Sequence, residues 1–180
     1  MIVSPVIVGC LGLIALVGCR GGQSPRGAAM LNLIGIMQVY AEKHEGWFPQ
    51  SEKGAYDALQ KLYPDYISTR ELAELAGLSA DIEPLIKAVE RGEPLNDKLT
   101  SWIYHQGLKN SDDYRIALFW ERRGGLFSGG KKDPSGGHAV ILLSWEIKQI
   151  PPSDWLEFLK DQEALRNSAL EKHAVERKAP

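Results

Sequence analysis

The chain has 180 residues, 44% of them hydrophobic, five tryptophans and a formal net charge of −2 at pH 7. That is apolar material for one core and one domain, and the balanced charge, with no basic stripe interleaved with aromatics, excludes the footprint of a nucleic-acid binder. Both cysteines, Cys10 and Cys19, lie near the start of the chain, so the remainder has no thiol for a disulfide, a zinc–thiolate site or nucleophilic catalysis.

Residues 1–19 carry no charged side chain, and residues 6–17 are almost wholly apolar, as in the hydrophobic region of an export signal. Leu16-Val17-Gly18-Cys19 follows directly and resembles the lipobox of bacterial lipoproteins. There, small residues fit the signal peptidase and the cysteine thiol receives a diacylglycerol before cleavage. The resemblance implies a signal peptide over 1–18, lipid on Cys19 and a lipid-anchored protein facing the periplasm. Arg20 in place of Asp after the cysteine favours the outer membrane under the sorting rule of enteric lipoproteins. Val8-Gly9-Cys10 is a poorer match, because little apolar chain precedes it. No Lys or Arg stands ahead of the apolar run, which leaves an uncleaved anchor as the alternative. About 20 apolar residues span a bilayer, and Arg20 and Arg26 would then hold the rest in the cytoplasm.

Residues 20–27, Arg-Gly-Gly-Gln-Ser-Pro-Arg-Gly, read as a flexible tether. The domain is expected over 28–160. Its first helix starts at Ala28. Met30, Leu33, Ile34, Ile36, Met37, Tyr40 and Ala41 share one arc at helical period, with Leu31 and Val39 as apolar exceptions on the other side. Gly46 stops it, and Trp47-Phe48-Pro49 turns the chain away. Tyr56, Leu59, Leu62 and Tyr63 predict a second helix ended by Pro64. Ser68 and Glu71 have capping-box spacing and predict a third, closed by Gly77. A fourth spans 81–91 with Pro84 in its first turn and Gly92 after its end.

Strands are predicted next, at 101–106 and 114–121, from their β-branched and aromatic content. Residues 122–138 hold six glycines and a proline and read as a loop. Residues 139–150 are strand-like up to Pro151-Pro152. Ser153 is placed to cap a last helix with Trp155, Phe158 and Leu159 facing inward, and 161–180 read as a charged helical or frayed tail.

The order of these pieces resembles type IV pilin-like and type II secretion pseudopilin-like proteins. The likeness is carried by Asn32-Leu-Ile-Gly-Ile-Met-Gln-Val-Tyr-Ala-Glu-Lys-His-Glu-Gly-Trp-Phe-Pro49, Leu62-Tyr-Pro-Asp-Tyr-Ile67, Trp102-Ile-Tyr104, Ile116-Ala-Leu-Phe-Trp-Glu121 and Gly136-Gly-His-Ala-Val-Ile-Leu-Leu143, across about 31–160. It implies an α+β fold, a long N-terminal helix packed on a small antiparallel sheet, here with extra short helices and a C-terminal helix. Three departures stand out. Ser144-Trp145-Glu146 occupies the place of the family's Asp-Gly turn, so either the turn differs or the strand runs straight through. The family's Cys-Pro segment is absent, with residues 78–94 in its place. Residues 18–27 also cut the apolar leader from the domain helix, where a pilin stem is continuous and carries a Glu at its fifth mature position; no Glu precedes Glu42 here.

Chemical motifs are weak. Gly125-Leu-Phe-Ser-Gly-Gly-Lys131 has P-loop spacing, but Lys132, Asp133 and Pro134 follow it where a magnesium-binding hydroxyl and a helix are needed. His44, His105, His138 and His173 show no metal-ligand spacing; His44 reads as a helix-end residue, and His138 is within loop reach of Glu121 or Asp133. Pseudopilins bind calcium through loop oxygens, which makes Asp112, Asp113 and Asp133 the calcium candidates, although one acidic pair and a singleton fit a turn better. Ser128, Ser135 and Ser144 lack a nucleophile-elbow context. The expectation is a non-enzymatic binding or structural module without a cofactor other than its lipid. Its partners would be the membrane and an envelope protein, with no nucleic acid and no small-molecule substrate evident. The alternatives are a working pseudopilin of a secretion or pilus system, and a hydrolase or nucleotide-binding enzyme built on the 124–137 loop.

Overall fold

Helix α1 (Pro25–Lys43) buries Met30, Leu33, Ile34, Met37, Tyr40 and Ala41, and leaves Leu31 and Val39 exposed. The 3.6-residue period therefore selects the predicted arc. These details come from a computed structural model, which describes residues 25–69, 71, 83–93, 102–125 and 136–177. Residues 25–27, expected in the tether, are already helical. Proline is compatible with a first helical turn, where its missing N–H costs no intrahelical bond. At the other end Glu45 and Gly46 have φ of 55° and 84°. The Gly46 N–H donates to the Ala41 carbonyl at 2.9 Å. A Cβ on Gly46 would stand 2.6 Å from Asn110 Oδ1, so the left-handed backbone and the close approach both call for glycine.

Helix α2 (Ala55–Gln60) and helix α3 (Glu83–Glu90) follow. Between them Ser68 and Glu71 form the predicted capping box: the Ser68 N–H donates to Glu71 Oε2 at 2.8 Å and the Glu71 N–H to Ser68 Oγ at 3.3 Å. Asn32 of α1 donates to the other Glu71 oxygen at 3.1 Å, tying this turn to α1; the Ser68 N–H bond first, then Asn32 and the Ser68 hydroxyl, hold the carboxyl below its usual range. The rest of the predicted third helix lies outside the described residues.

The fold is α+β. Strands β1 (Trp102–Tyr104), β2 (Ala117–Glu121), β3 (His138–Leu142) and β4 (Ile147–Ile150) form one antiparallel sheet in the order β1-β2-β3-β4. Alternation divides its side chains between two apolar clusters. Tyr104, Phe119, Ala139 and Ile141 join the core that contains the α1 arc, Phe48 and Leu62. Trp120, Val140 and Leu142 face the other way, under Trp155, Phe158 and Leu159. Both faces of the sheet are thus covered by helix.

Beyond residues 25–27, the structure departs from the sequence expectations at 113–116 and around the last helix, and it decides the open question at 144–146. Strand β2 starts at Ala117, because Asp113 takes the Arg115 N–H at 2.9 Å and the Ile116 N–H donates to the Asp113 carbonyl at 3.0 Å, which makes 113–116 a turn. The chain does reverse at 143–146, through a turn in which the Trp145 N–H donates to the Leu142 carbonyl at 2.9 Å and Trp145 holds φ of 65°. A tryptophan there costs about 1–2 kcal/mol of backbone strain, offset by its ring packing edge-on to buried Phe48 at 5.8 Å. Ser153 does not cap the last helix; its hydroxyl donates to Asp154 Oδ1 at 2.6 Å, and the N-cap is Asp154 without a side-chain cap bond. That helix, α4 (Trp155–Glu176), runs through the expected boundary at 160 and buries Gln162, Ala169 and His173. Its second half is docked, not frayed.

Candidate functional site

The far end of α1, the 106–112 segment and the end of α4 meet at one pole. The chain leaving Gly46 lies beside 108–110: the Phe48 N–H donates to the Leu108 carbonyl at 3.1 Å, and the Asn110 N–H to the Gly46 carbonyl at 2.8 Å. His173 closes this arrangement from α4. Its Nδ1 is 3.2 Å from the Gly107 carbonyl oxygen and its Nε2 is 2.9 Å from Asp112 Oδ1. Both side chains are nearly inaccessible, at 3% and 1% exposed. The second Asp112 oxygen takes the Lys109 N–H at 2.7 Å.

Trp47 stands over this pair, edge to the His173 ring at 4.8 Å between centroids. Lys109 Nζ lies 4.4 Å and the Arg177 guanidinium 5.0 Å from the Trp47 ring centre, so the indole is a platform for two cations. Lys109 also reaches Glu176 at 3.4 Å. Next to the platform opens a hollow of about 800 Å³, with Gln50, Ser51, Lys53, Lys61, Gln106 and Arg177 in its wall. Gln106 Oε1 accepts the Ser51 N–H at 2.9 Å, and Lys61 donates to the Gln50 carbonyl at 2.6 Å.

The structure separates the two described calcium candidates. Asp112 is spent on His173 and Lys109, and Asp113 forms a fork with Arg115, whose nearest contact is 2.6 Å. That Arg115 pairing, with its backbone bond, pulls the Asp113 carboxyl down to about 2. Asp133, Ser128, Ser135, Lys131 and Cys19 lie outside the described residues. Among the described residues no group of three or more His, Cys, Asp or Glu is placed to hold a metal ion. The termini of the glycine-rich loop are joined by a Gly125 N–H to Gly137 carbonyl bond of 2.9 Å.

The other histidines have packing roles. His44 stacks on Tyr40 at 4.0 Å and lies 3.2 Å from the Tyr66 hydroxyl. His138 meets Glu121 through the backbone, Nδ1 being 2.9 Å from the Glu121 carbonyl oxygen, while its ring lies flat on Trp155 at 3.7 Å. The Glu121 carboxylate is buried and accepts the Ala139 N–H at 3.0 Å. His105 is buried against Trp120 at 3.9 Å. Burial, then the nearby Arg166 cation, pushes it down to about 3, so it is neutral at pH 7.

Reasoning from sequence missed the pole because its parts come from positions as distant as Trp47 and Arg177. The only local signal was the presence of Trp47 directly after the helix-stopping Gly46. No family model, curated protein or solved structure matches the chain. Among the described residues no helix is long and apolar enough to cross a membrane.

Proposed function

We propose that the chain is a lipid-anchored, non-enzymatic binding module of the cell envelope, with a pilin-like α+β domain held to the membrane through Cys19. The observation that carries this reading is the sequence order of an uncharged apolar leader, Leu16-Val17-Gly18-Cys19 and, after only residues 20–24, the helical residues of α1. Five extended residues reach at most about 18 Å, so a lipid on Cys19 would sit close to the start of α1. Helix α1 is 19 residues long, about 28 Å at 1.5 Å per residue. The pole formed at its other end would then be carried well clear of the lipid surface, open to a partner.

The packing of α1 against an antiparallel sheet supports the pilin-like part of this reading, and it equally favours a second one, a working pseudopilin. Mass spectrometry of the mature N-terminus separates them. The lipoprotein reading expects a diacylglyceryl, N-acylated Cys19, palmitate incorporation, and loss of membrane association in Cys19→Ala. Cleavage to a methylated N-terminus would establish the pseudopilin instead. An intact Met1 with unchanged membrane association of Cys19→Ala would overturn both in favour of an uncleaved anchor.

A further inference from the structure

The hollow at the pole has a one-sided chemistry. Two of the acceptors in its wall are already engaged: Gln106 Oε1 holds the Ser51 N–H and the Gln50 carbonyl holds the Lys61 ammonium. The Ser51 hydroxyl donates to Asp57. The lining residues also bring a set of donors, namely the Gln106 amide NH₂, the further Lys61 protons, the Lys53 ammonium and the Arg177 guanidinium, beside the Gln50 amide and the Glu52 carboxylate. Among the described residues neither Lys53 nor Arg177 has a carboxylate partner, and Glu52 is the one anionic side chain in the lining. Three cations against one carboxylate give the recess a positive potential.

The shape of this charge narrows the ligand. Arg177 lies over Trp47 at 5.0 Å and lines the hollow, and a guanidinium has the planar fork that suits bidentate capture of a carboxylate. Lys109 lies over the same ring at 4.4 Å, so the indole is occupied by cations and is not a bare face for stacking a sugar. Lys53 and Lys61 supply separate point charges, and the Gln50 and Gln106 amides suit peptide carbonyls and N–H groups. A hollow of about 800 Å³ has room for a few residues of extended chain.

We propose that this pole binds an acidic peptide segment carrying at least two spaced carboxylates, one on Arg177 and another on the Lys53–Lys61 side. The orientation of the site away from the membrane rests on the anchored reading above; its ligand chemistry does not.

The test uses the full chain in detergent and titrates capped tetra-glutamate, capped tetra-glutamine, inorganic phosphate and a uronic-acid oligosaccharide by calorimetry. Saturable binding of tetra-glutamate is expected, weakening as salt rises from about 50 to about 300 mM. The glutamine peptide should bind at least tenfold more weakly. The double variant Lys53→Gln/Arg177→Gln should lose at least tenfold in affinity with a melting temperature lowered by no more than about 5 °C, since both side chains are exposed. No binding of tetra-glutamate up to about 5 mM, equal binding of the glutamine peptide, an unaffected double variant, or preference for phosphate or the oligosaccharide would each overturn the proposal. Such a failure would leave the acylation of Cys19 untouched, and failure of acylation would leave this titration unchanged.

Discussion

The two halves of α4 are fixed to the domain by opposite means. The first half lies over the sheet through aromatic faces: Trp155 stacks on His138 at 3.7 Å and on Phe158 at 5.3 Å, and both rings meet Trp120 edge-on. The remainder, from Gln162 onward, is held mainly by polar side chains that reach backbone groups. Gln162 accepts the Ala117 N–H at 2.6 Å and donates to the Arg115 carbonyl at 3.1 Å, while His173 engages Gly107 and Asp112. Ala169 is buried beside them and Leu165 packs on the α1-side core. Apolar contact tolerates sliding, whereas two-point hydrogen bonding does not. The polar half therefore fixes where the helix ends and, with it, where Arg177 stands over Trp47.

Removing His173 is the largest way to break this contrast. His173→Ala leaves the Asp112 carboxylate enclosed with one backbone donor, and deleting one partner of such a buried contact costs about 3 kcal/mol or more. We expect a urea midpoint lowered accordingly, together with loss of protection from hydrogen exchange in the last two turns of α4. The first half should keep its protection, because its aromatic contacts do not involve His173. Equal loss along the whole helix would show that the halves are not independent. Gln162→Leu is expected to cost less, about 2 kcal/mol, by leaving the Ala117 N–H and the Arg115 carbonyl without that partner. Because Gln162 sits where the two halves join, its loss should spread in both directions, as measured by the same exchange experiment.

The contrast also explains what the sequence made legible. The α1 arc, the capping box at Ser68 and Glu71, and the inward Trp155, Phe158 and Leu159 follow from side-chain period or local hydrogen bonding, and such signals are written in neighbouring residues. From Gln162 onward α4 carries no strong apolar stripe, since Gln162 and His173 are buried for the sake of backbone groups more than 40 residues away. Nothing in a helical wheel reports a partner of that kind. Trp145 is similar: left-handed backbone at a tryptophan reads as a poor turn until Phe48, nearly 100 positions earlier, is found beneath its ring. The pole was the least legible part. A cation gains its meaning there from Trp47, and the contact exists only after α1, the 106–112 segment and α4 have been assembled.

His105 is linked to α4 through the charge of Arg166, near the middle of the helix, and its titration gives the mildest of these perturbations. The ring is tilted against Trp120 at 3.9 Å, and burial first, then the Arg166 cation of α4, depresses it from 6.5 to about 3. In the unfolded chain the ring takes a proton as pH falls through about 6.5, while the folded chain resists until about 3. The unfolded state therefore binds more protons inside that window. The contribution of His105 to stability is complete above about pH 6.5 and declines below it by up to about 1.4 kcal/mol per pH unit. At pH 5 the loss approaches about 2 kcal/mol relative to pH 7. His105→Leu has no such proton to take up, so its stability should fall less between pH 7 and pH 5 than that of the natural chain, as read from urea midpoints at each pH. Identical pH slopes for the two proteins would mean that the ring is already open to water in the folded state, and that the seam between the aromatic and polar halves of α4 is loose.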